Sequence, residues 1–538
     1  MLIHFQDLSG INDSEKFDAA AELLRKNPDS ELFLPPGGYR LGDEQTVRFQ
    51  EDVMAGRMGH SPQLFRHGIP FRSGWTLTGC RGVKIHAEGA EIVVHGFMQV
   101  LTLDRCEHVT IEGLRIRHDR LPFSCGVILS DTPEYTDIRF LDARMLCDET
   151  PTLRTVTYWN NRYWAATQSA ASFHMVAPGI GRFEKLSSLG MKGAEIYVWH
   201  TFHYRPAVLL HECENILLRD LCVHNQPGHG VMVHRSGDIT LERVRIVPEA
   251  GLRVSTNADA THVLSCHGKI TYRGCRMIGQ GDDSINVHGY YHRILSAQGS
   301  NALVRLDTRE GCAHSFLPDH PDIGDTVVFS RRDNLRPLGS ARVTALEPAD
   351  GHAWKLELDA PVPAEDAELL LHSREQSSAE LEVRDCCMAS HLARGILVKA
   401  RNVLIENNIF SNTTLTAIQF APEIVYAEGG ESENVTIRGN SICDCGWMTQ
   451  YAKEFSGAGG ILFEVCCEKP AEVFHKKIRI EDNIIHCPDA KHAIVLYNTR
   501  DARICGNQFC VQSEGIVVDE RSCETVVVTQ NEEKEGMA

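Results

Sequence analysis

A short pattern of alternating apolar and polar positions recurs along most of the chain. Copies begin at Val109, Ile216, Ile239, Leu381 and Val403, and each places β-branched or long aliphatic residues at every second position. Consecutive copies are spaced by 23 residues from Ile216 to Ile239 and by 22 residues from Leu381 to Val403. Alternation turns one face of a strand inward, and a unit of this size buries that face only by stacking on its neighbours. The pattern predicts an all-β fold, a right-handed parallel β-helix.

Asparagines recur at the same place in the later copies of the pattern. They are Asn407, Asn408, Asn440, Asn483 and Asn507, and the last two are 24 residues apart. An asparagine at each bend can hydrogen-bond to its equivalent on the next coil. We therefore expect a structural asparagine ladder at this corner.

Three stretches depart from the repeat and suggest the domain organisation. Asp13 to Lys26 has the apolar spacing of an amphipathic helix, which predicts a cap on the first coil. Residues 140–205 are rich in aromatic residues and suggest an elaboration beside the solenoid. Residues 300–375 contain short alternating runs typical of antiparallel strands, which predict an inserted small β-barrel. The expected domains are the capped N-terminal β-helix (1–299), the barrel (300–375) and the C-terminal coils (376–538).

The composition of the chain excludes some classes of binding partner and favours one cellular compartment. The 538 residues carry a formal net charge of −18, which argues against nucleic acid or an anionic membrane surface as partner. The sequence contains no run of 18 apolar residues, so we expect no membrane-spanning segment. The first residues lack the basic and apolar regions of a signal peptide, so we expect none here. The 19 cysteines are scattered without zinc-ligand spacing. They favour a reducing, cytoplasmic location, with secretion as the alternative. The assembly is left open between a monomer and a homodimer.

Three aspartates are the candidate catalytic residues. Asp259 lies in Asn257-Ala-Asp, and Asp282 and Asp283 lie in Gly281-Asp-Asp, about one coil later. Carboxylates are depleted in strands and raise each other's pKa when they are crowded, so folding does not explain them. Two facing carboxyl groups, one protonated and one ionised, are what glycoside hydrolysis requires. The alternative is a solvated turn with incidental acids. For an inverting enzyme we expect the acid and base to be about 6.5–9.5 Å apart.

Several polar residues near these acids or on later coils are candidate ligands for sugar hydroxyls. They are Asn257, His262, Asn286, His288, Arg394 and Glu428. The alternating His224, His229 and His234 could suggest a metal site, but no carboxylate close by in the sequence completes it, so we expect structural histidines. No cofactor or metal is predicted.

The blocks Asn257-Ala-Asp-Ala-Thr-His and Gly281-Asp-Asp-Ser-Ile-Asn-Val-His-Gly resemble those of glycoside hydrolase family 110. The resemblance extends to Asp119-Arg-Leu-Pro-Phe, to Arg394-Gly-Ile-Leu-Val and to the inserted barrel. That family consists of exo-acting, inverting α-galactosidases that remove terminal α-1,3-linked galactose, including that of the blood group B antigen. The resemblance implies a galactose-terminated oligosaccharide or glycan as substrate.

The same resemblance implies roles for the three acids. Asp259 would be the general acid, and Asp282 and Asp283 would hold and deprotonate the attacking water. The chain departs from the family at Val425-Tyr-Ala-Glu-Gly, where a more aromatic segment with a tryptophan is expected.

Three other functions are compatible with a β-helix that carries acids. A polygalacturonase-like hydrolase of uronides would need cations near the acids to pair with the substrate carboxylate. A polysaccharide lyase would need calcium ligands and a basic Arg or Lys. A non-catalytic carbohydrate-binding β-helix would use aromatic and amide groups more than adjacent carboxylates.

Overall fold

The computed structural model describes residues 1–58, 71–141, 153–168, 172–184, 191–201, 203–306, 317–377, 380–449, 456–467 and 473–534. Within these ranges, three parallel sheets run the length of the molecule. Successive strands of the chain enter the three sheets in turn, so each coil contributes one strand to each sheet. The predicted parallel β-helix with an inserted antiparallel barrel is confirmed.

The first sheet has 13 strands in the described residues. In spatial order they are Leu2–His4, Glu31–Phe33, Lys84–His86, Glu107–Glu112, Glu214–Arg219, Gly237–Glu242, His267–Arg273, Glu380–Arg384, Val403–Glu406, Glu433–Arg438, His475–Glu481, Thr499–Cys505 and Glu524–Thr529.

The second sheet, which carries the candidate site, has 12 described strands. Eleven follow the coils: Ser73–Thr78, Gln99–Asp104, Val208–His211, Val231–His234, Thr261–Leu264, Ile285–Tyr290, Ile396–Val398, Ile418–Phe420, Ala458–Phe463, His492–Leu496 and Ile516–Val518. The twelfth, Glu428–Gly429, pairs antiparallel with Ile285–Tyr290.

The third sheet also has 12 strands in the described part of the chain. They are Gly37–Leu41, Ala90–Val94, Arg115–His118, Cys222–Val223, Arg245–Ile246, Arg276–Ile278, Cys387–His391, Ile409–Thr413, Ser441–Cys443, Ile484–His486, Gln508–Cys510 and Glu532–Glu533.

Inward-facing aliphatic residues of all three sheets form one continuous core along the solenoid axis. An asparagine ladder runs down one corner, as predicted. The side-chain oxygen of Asn440 accepts from the backbone N–H of Asn408 at 2.9 Å, and the oxygen of Asn483 accepts from the N–H of Asn440 at 3.0 Å. The ladder continues through Asn507 to Asn531. Asn407 is exposed and lies outside the ladder, because it takes the left-handed turn conformation (φ 56°) that brings Asn408 inward.

Helix α1 (Asp13–Lys26) caps the first coil and has the predicted bounds. The side chain of Asn12 accepts from the N–H of Glu15, which satisfies an otherwise unpaired donor at the N-terminus. Phe17 is buried against Trp75, with ring centroids 4.7 Å apart. A second helix, α2 (Glu44–Met54), and three short 3₁₀ turns (Phe5–Asp7, Asp350–His352 and Ile424–Tyr426) complete the helical content of the described chain. None of these described helices has the length and apolarity to cross a membrane.

The aromatic-rich stretch forms a seven-stranded antiparallel sheet beside the solenoid, counted over the described residues. Its strands, in spatial order, are Arg162–Gln168, Leu153–Trp159, Glu195–Trp199, Phe123–Asp131, Tyr135–Phe140, Ile180–Glu184 and Ser172–Ala177.

The inserted barrel is closed. Around the barrel its described strands are His292–Gln298, Asn301–Leu306, Ala353–Leu358, Pro337–Ala349, Thr326–Arg331 and Leu369–Ser373. Its first strand therefore begins at His292, before the expected boundary at residue 300. That strand follows directly from Ile285–Tyr290, so the chain passes from solenoid to barrel with no intervening loop to mark the change in the sequence.

Candidate active site

The candidate site is built on equivalent positions of consecutive coils, just before strands of the second sheet. The N–H of Gly230 donates to the carbonyl of Asp259, and the N–H of Ala260 donates to the carbonyl of Asp283. One coil later, the N–H of Ser284 donates to the carbonyl of Arg394. Asp259, Asp283 and Arg394 are therefore stacked at the spacing of parallel strands, about 4.8 Å per coil.

Asp259, Asp282 and Asp283 converge. Each offers a carboxylate oxygen, and these oxygens lie within 4.8 Å of one another. The N–H of Asp283 also donates to Oδ1 of Asp259 at 3.2 Å. These nearest oxygens are closer together than the separation of about 6.5–9.5 Å expected between the carboxyl groups of an inverting pair, because the acids occupy adjacent coils.

Exposure divides the three acids. Asp259 and Asp283 are 3% and 2% exposed, whereas Asp282 is only half-buried. The three carboxylates converge, but they differ in their access to solvent. Asp282 is thus the acid most open to solvent.

Asp283 lies against a cation. Its Oδ1 accepts from the backbone N–H of Arg394 at 2.7 Å, and its Oδ2 lies 3.6 Å from Nη1 of the same residue. Burial raises the pKa of Asp283 to about 7, against the lowering effect of the Arg394 charge. A carboxyl of this kind changes its charge in the neutral pH range.

Among the described residues, no lysine or arginine lies within ion-pair distance of Asp259. Burial, followed by the charges of Asp283 and Glu428, raises the pKa of Asp259 well above its usual range. Its Oδ2 lies 2.5 Å from Nδ1 of His262 and 3.9 Å from Nε2 of His229. Asp259 is therefore surrounded by imidazoles and acids.

The two histidines predicted as sugar ligands are engaged with the protein. Nε2 of His262 lies 2.9 Å from Nε2 of His288, and Nδ1 of His288 lies 2.7 Å from the carbonyl oxygen of Gly289. The rings are 1% and 2% exposed. Burial lowers the pKa of His262 to about 4 and that of His288 to about 3. Both rings therefore lie on the buried side of Asp259, where they contact the protein.

A second cluster lies along the strand that follows Arg394. Lys399 is 1% exposed, and its Nζ lies 2.5 Å from Oε2 of Glu428 and 3.5 Å from Oε2 of Glu423. Asn286 completes it, since its side-chain oxygen accepts from Lys399 and its Nδ2 donates to Glu428, both at 3.4 Å. The structure thus brings the predicted Asn286 and Glu428 together. The sequence analysis missed Lys399 and Glu423, and the signal that could have found Lys399 was a lysine directly after the apolar run Ile396-Leu-Val.

Arg394 is held between acids and amides. Its Nη2 donates to Glu423 at 2.9 Å and its Nε to the side-chain oxygen of Gln419 at 3.1 Å. The amide of Gln419 in turn donates to Glu464 at 2.7 Å. Burial raises the pKa of Glu464, so this edge of the site contains a further carboxyl that is easily protonated.

Asn257 is placed where it shapes the turn. It is fully buried, and its Nδ2 donates to the carbonyl of Thr201 at 2.8 Å. This bond ties the Asp259 turn to the end of the strand Glu195–Trp199 in the antiparallel sheet. Asn257, which was predicted to bind the sugar, therefore lies at the junction of the antiparallel sheet and the solenoid and is hydrogen-bonded to the protein.

Gly281 allows Trp199 to pack against the acidic turn. A Cβ atom on Gly281 would collide with the indole ring and would lie 2.6 Å from the carbonyl oxygen of Asn257. We expect Gly281→Ala to lower the free energy of unfolding by about 1–3 kcal/mol, as overpacking does. Gly38→Ala is the control, because its Cβ would only touch Val93 at 3.8 Å. Equal melting temperatures for the two variants would contradict the expectation.

The segment at residues 425–429 differs from the aromatic one that the resemblance implies. Val425 and Tyr426 are 51% and 37% exposed, and Glu428 is directed inward to Lys399. The described part of this segment therefore offers Tyr426 as its aromatic ring.

The sequence shows no carboxylate next to the alternating histidines, but the structure brings one to two of them. His234 lies 2.8 Å from Asp319, which the barrel insertion supplies from far along the chain, and His229 lies near Asp259. His224 contacts the carbonyl of Val247 at 3.2 Å. Sequence distance hid both carboxylates.

His229, Asp259 and His262 also have the residue types of a cation site. However, Nδ1 of His262 lies only 2.5 Å from Oδ2 of Asp259, which is closer than two ligands of one ion stand when each is about 2.0–2.1 Å from it. We therefore assign no cation to these residues.

Comparisons with known proteins agree with the fold and the acidic cluster. The model "Right handed beta helix region" matches residues 374–536, and the model "Glycosyl hydrolases family 28" matches residues 203–300, which contain all three aspartates. Among curated proteins, the chain is 28% identical to alpha-1,3-galactosidase A of Bacteroides fragilis, over 87% of this chain and 80% of that protein. It is 21% identical to alpha-1,3-galactosidase B of Bacteroides thetaiotaomicron, over 97% and 88%. It is 23% identical to alpha-1,3-galactosidase A of Shewanella woodyi, over 86% and 78%.

Solved structures include more distant likenesses. An exopolygalacturonase from Thermotoga maritima is 12% identical with a TM-score of 0.40, over 98% of this chain and 92% of that one. A family 28 exopolygalacturonase from Yersinia enterocolitica is 10% identical with a TM-score of 0.38, over 100% and 79%.

Proposed function

We propose that this chain, which belongs with the pectin-lyase-like α-1,3-galactosidases, is a glycoside hydrolase that removes terminal α-1,3-linked galactose from oligosaccharides or glycans. The observation that carries the proposal is the convergence of Asp259, Asp282 and Asp283 within the segment matched by a glycosyl hydrolase model. A folding role does not account for three acids so close together. The proposal gives each acid a role in cleaving one glycosidic bond.

Asp282 is the proposed general acid. The glycosidic oxygen of a bound sugar must approach from the solvent, and Asp282 is the least buried of the three acids. Asp259 is less suited, because one of its oxygens accepts from the N–H of Asp283 and the other meets His262. This assignment differs from the one implied by the resemblance, which gave the acid role to Asp259.

Asp283 is the proposed general base, and Asp259 helps it to hold the water. The two residues occupy equivalent positions on adjacent coils, so one water can donate a hydrogen bond to each of them. Asp283 ionises near pH 7, and the Arg394 charge favours its ionised form. Asp283 therefore takes the water proton while Asp282 protonates the departing oxygen.

The charges around the site support a neutral sugar over a uronide. The cations beside the acids, Arg394 and Lys399, already have carboxylate partners in Glu423 and Glu428. A uronide carboxylate would have to displace one of these partners from a buried pair, which is costly. Hydroxyl groups of galactose can instead be hydrogen-bonded by the same side chains.

Substrate release assays test the function. We expect galactose from galactosyl-α-1,3-galactose and from p-nitrophenyl α-galactoside, with much slower release from the α-1,4- and α-1,6-linked disaccharides. Uronate or unsaturated product from polygalacturonate would support the uronide hydrolase or the lyase instead. Binding of galactosides without turnover would indicate a carbohydrate-binding β-helix.

The proposed reaction is a single displacement, so β-galactose should be the first product. Water attacks from the face opposite the leaving group when two carboxylates position it. The alternative is a retaining double displacement, in which one carboxylate attacks the sugar, and the close approach of the nearest oxygens is compatible with it. Proton NMR of the fresh product distinguishes the two mechanisms, and initial α-galactose would overturn the single displacement.

A further inference from the structure

Glu464 is a half-buried residue whose carboxyl group lies at the edge of the acid cluster. Its Oε1 accepts from the side-chain amide of Gln419 at 2.7 Å. Gln419 in turn contacts Arg394, which lies against Asp283. Arg394 is close enough to both Asp282 and Glu464 for its charge to act on them. Glu464 is therefore a neighbour of the proposed catalytic residues without touching them.

The backbone on both sides of this carboxyl group is fixed. The N–H of Glu464 donates to the carbonyl of Phe420 at 3.0 Å, and the carbonyl of Glu464 accepts from Nε2 of the buried His475 at 3.0 Å. A side chain that starts from a fixed backbone loses little freedom when it binds a ligand. Glu464 is thus held in place before any sugar arrives.

The carboxyl group of Glu464 has hydrogen-bonding capacity that the protein leaves unused. Its side-chain partners are the amide of Gln419 and the thiol of Cys466. Within the described ranges, no cationic side chain forms an ion pair with it. A carboxylate has about four positions for donors, so positions remain for a donor from outside the protein.

Burial decreases from the acids towards Glu464. Asp283 is 2% exposed, Glu464 is half-buried, and Cys466 is exposed. An enzyme that removes a terminal sugar holds that sugar at the closed end of its site, so the rest of the glycan extends towards the open end. Glu464 lies on the open side.

The coil spacing gives the same placement. Glu464 follows the strand Ala458–Phe463, which is three coils beyond Ile285–Tyr290, the strand that follows Asp283. At about 4.8 Å per coil, the two strands are about 14 Å apart. This is farther than one sugar ring spans, so a galactose above Asp283 leaves Glu464 to the next sugar.

We propose that Glu464 is a specificity-determining residue that accepts a hydrogen bond from a hydroxyl group of the leaving sugar, the sugar to which the cleaved galactose is attached. The inference rests on the proposed function, because it needs a bound α-galactoside. Glu464 then contributes to recognition of the leaving sugar and takes no part in the proton transfers of bond cleavage.

Two substrates with different leaving groups test this role. Galactosyl-α-1,3-galactose has a leaving sugar, whereas α-galactosyl fluoride has the same galactose without one. In Glu464→Gln, kcat/KM should fall about tenfold on the disaccharide, because a neutral amide accepts a weaker hydrogen bond than a carboxylate, and less than about threefold on the fluoride. The glutamine oxygen can still accept from Gln419, so the contacts of Arg394 are retained.

Equal losses on the two substrates would overturn the inference, because Glu464 would then contact the galactose itself or act through Gln419 and Arg394. Undiminished activity on both substrates would also overturn it. Glu433→Gln is the matched control, since Glu433 is likewise half-buried but pairs with Lys477 on the first sheet, at 2.6 Å. This control should leave both values of kcat/KM unchanged.

Cys466→Trp provides a second variant at an exposed position, where a larger side chain is compatible with folding. The indole adds bulk where the leaving sugar is placed, so it should lower kcat/KM on the disaccharide and spare the fluoride. Full disaccharide activity of this variant would contradict the inference.

The wild-type protein separates the two kinds of failure. If it cleaves neither substrate, the proposed function is wrong and the inference falls with it. If it cleaves both, and neither Glu464→Gln nor Cys466→Trp distinguishes them, only the inference is wrong.

Discussion

Asp283→Asn should reduce kcat by about a thousandfold on every galactoside, within the range of about 10²–10⁴ associated with a general base. The amide cannot accept the water proton, and the loss does not depend on the leaving group. Wild-type kcat/KM should fall as the pH drops below about 7, because protonation of Asp283 removes the base. The acidic limb should be absent from the residual activity of the variant.

Azide provides the rescue experiment for Asp283→Asn. Azide attacks without losing a proton, so it should restore part of the turnover and yield β-galactosyl azide. Asp220→Asn is the control, because Asp220 is half-exposed and pairs with Arg243 on the outside of the solenoid. Full activity of Asp283→Asn would remove Asp283 from the mechanism. An α-galactosyl azide would instead indicate a covalent intermediate.

Asp282→Asn should separate substrates by their leaving groups. We expect kcat/KM to fall by about a thousandfold on galactosyl-α-1,3-galactose, where the departing oxygen must be protonated. On 2,4-dinitrophenyl α-galactoside the loss should be less than about tenfold, since that leaving group departs without a proton. The ratio of the two rates is the measured quantity.

Asp259→Asn is the matched comparison for the acid assignment. If Asp259 only holds the water, its replacement should affect both substrates to a similar degree. Strong discrimination by Asp259→Asn, with none by Asp282→Asn, would return the acid role to Asp259, as the resemblance implied. Discrimination by neither variant would place the acid outside these two residues.

The fold could be predicted because its determinants are local. Each coil repeats its own alternation of apolar residues, and α1 is defined by its apolar spacing and by the Asn12 cap. The residue that joins the ladder could not be assigned from the sequence where two asparagines are adjacent. The sequence could not show which of Asn407 and Asn408 turns inward, because a shift of one residue reverses the side to which a side chain points.

The acids of the site could be predicted because carboxylates are out of place in a strand-rich segment. Their partners could not, because a solenoid brings together residues that an insertion has separated. Asp283 accepts from Arg394 across 111 residues, and Asn286 donates to Glu428 across 142. His262 and His288 were identified as neighbours of the acids, but the partners of their ring nitrogens depend on the register of adjacent strands.

In the sequence, the barrel is inserted between the coil that carries Asp283 and the coil that carries Arg394. This position has a consequence for folding kinetics. The first strand of the barrel pairs with its last, His292 opposite Leu371, so the folded barrel brings the ends of a long insertion together. Loop-closure entropy would otherwise oppose the docking of the Arg394 coil onto the Asp283 coil. A barrel that folds early removes much of that cost before the coils meet. Mutations that destabilise the barrel core should therefore slow the appearance of activity during refolding, even though they touch no residue of the site.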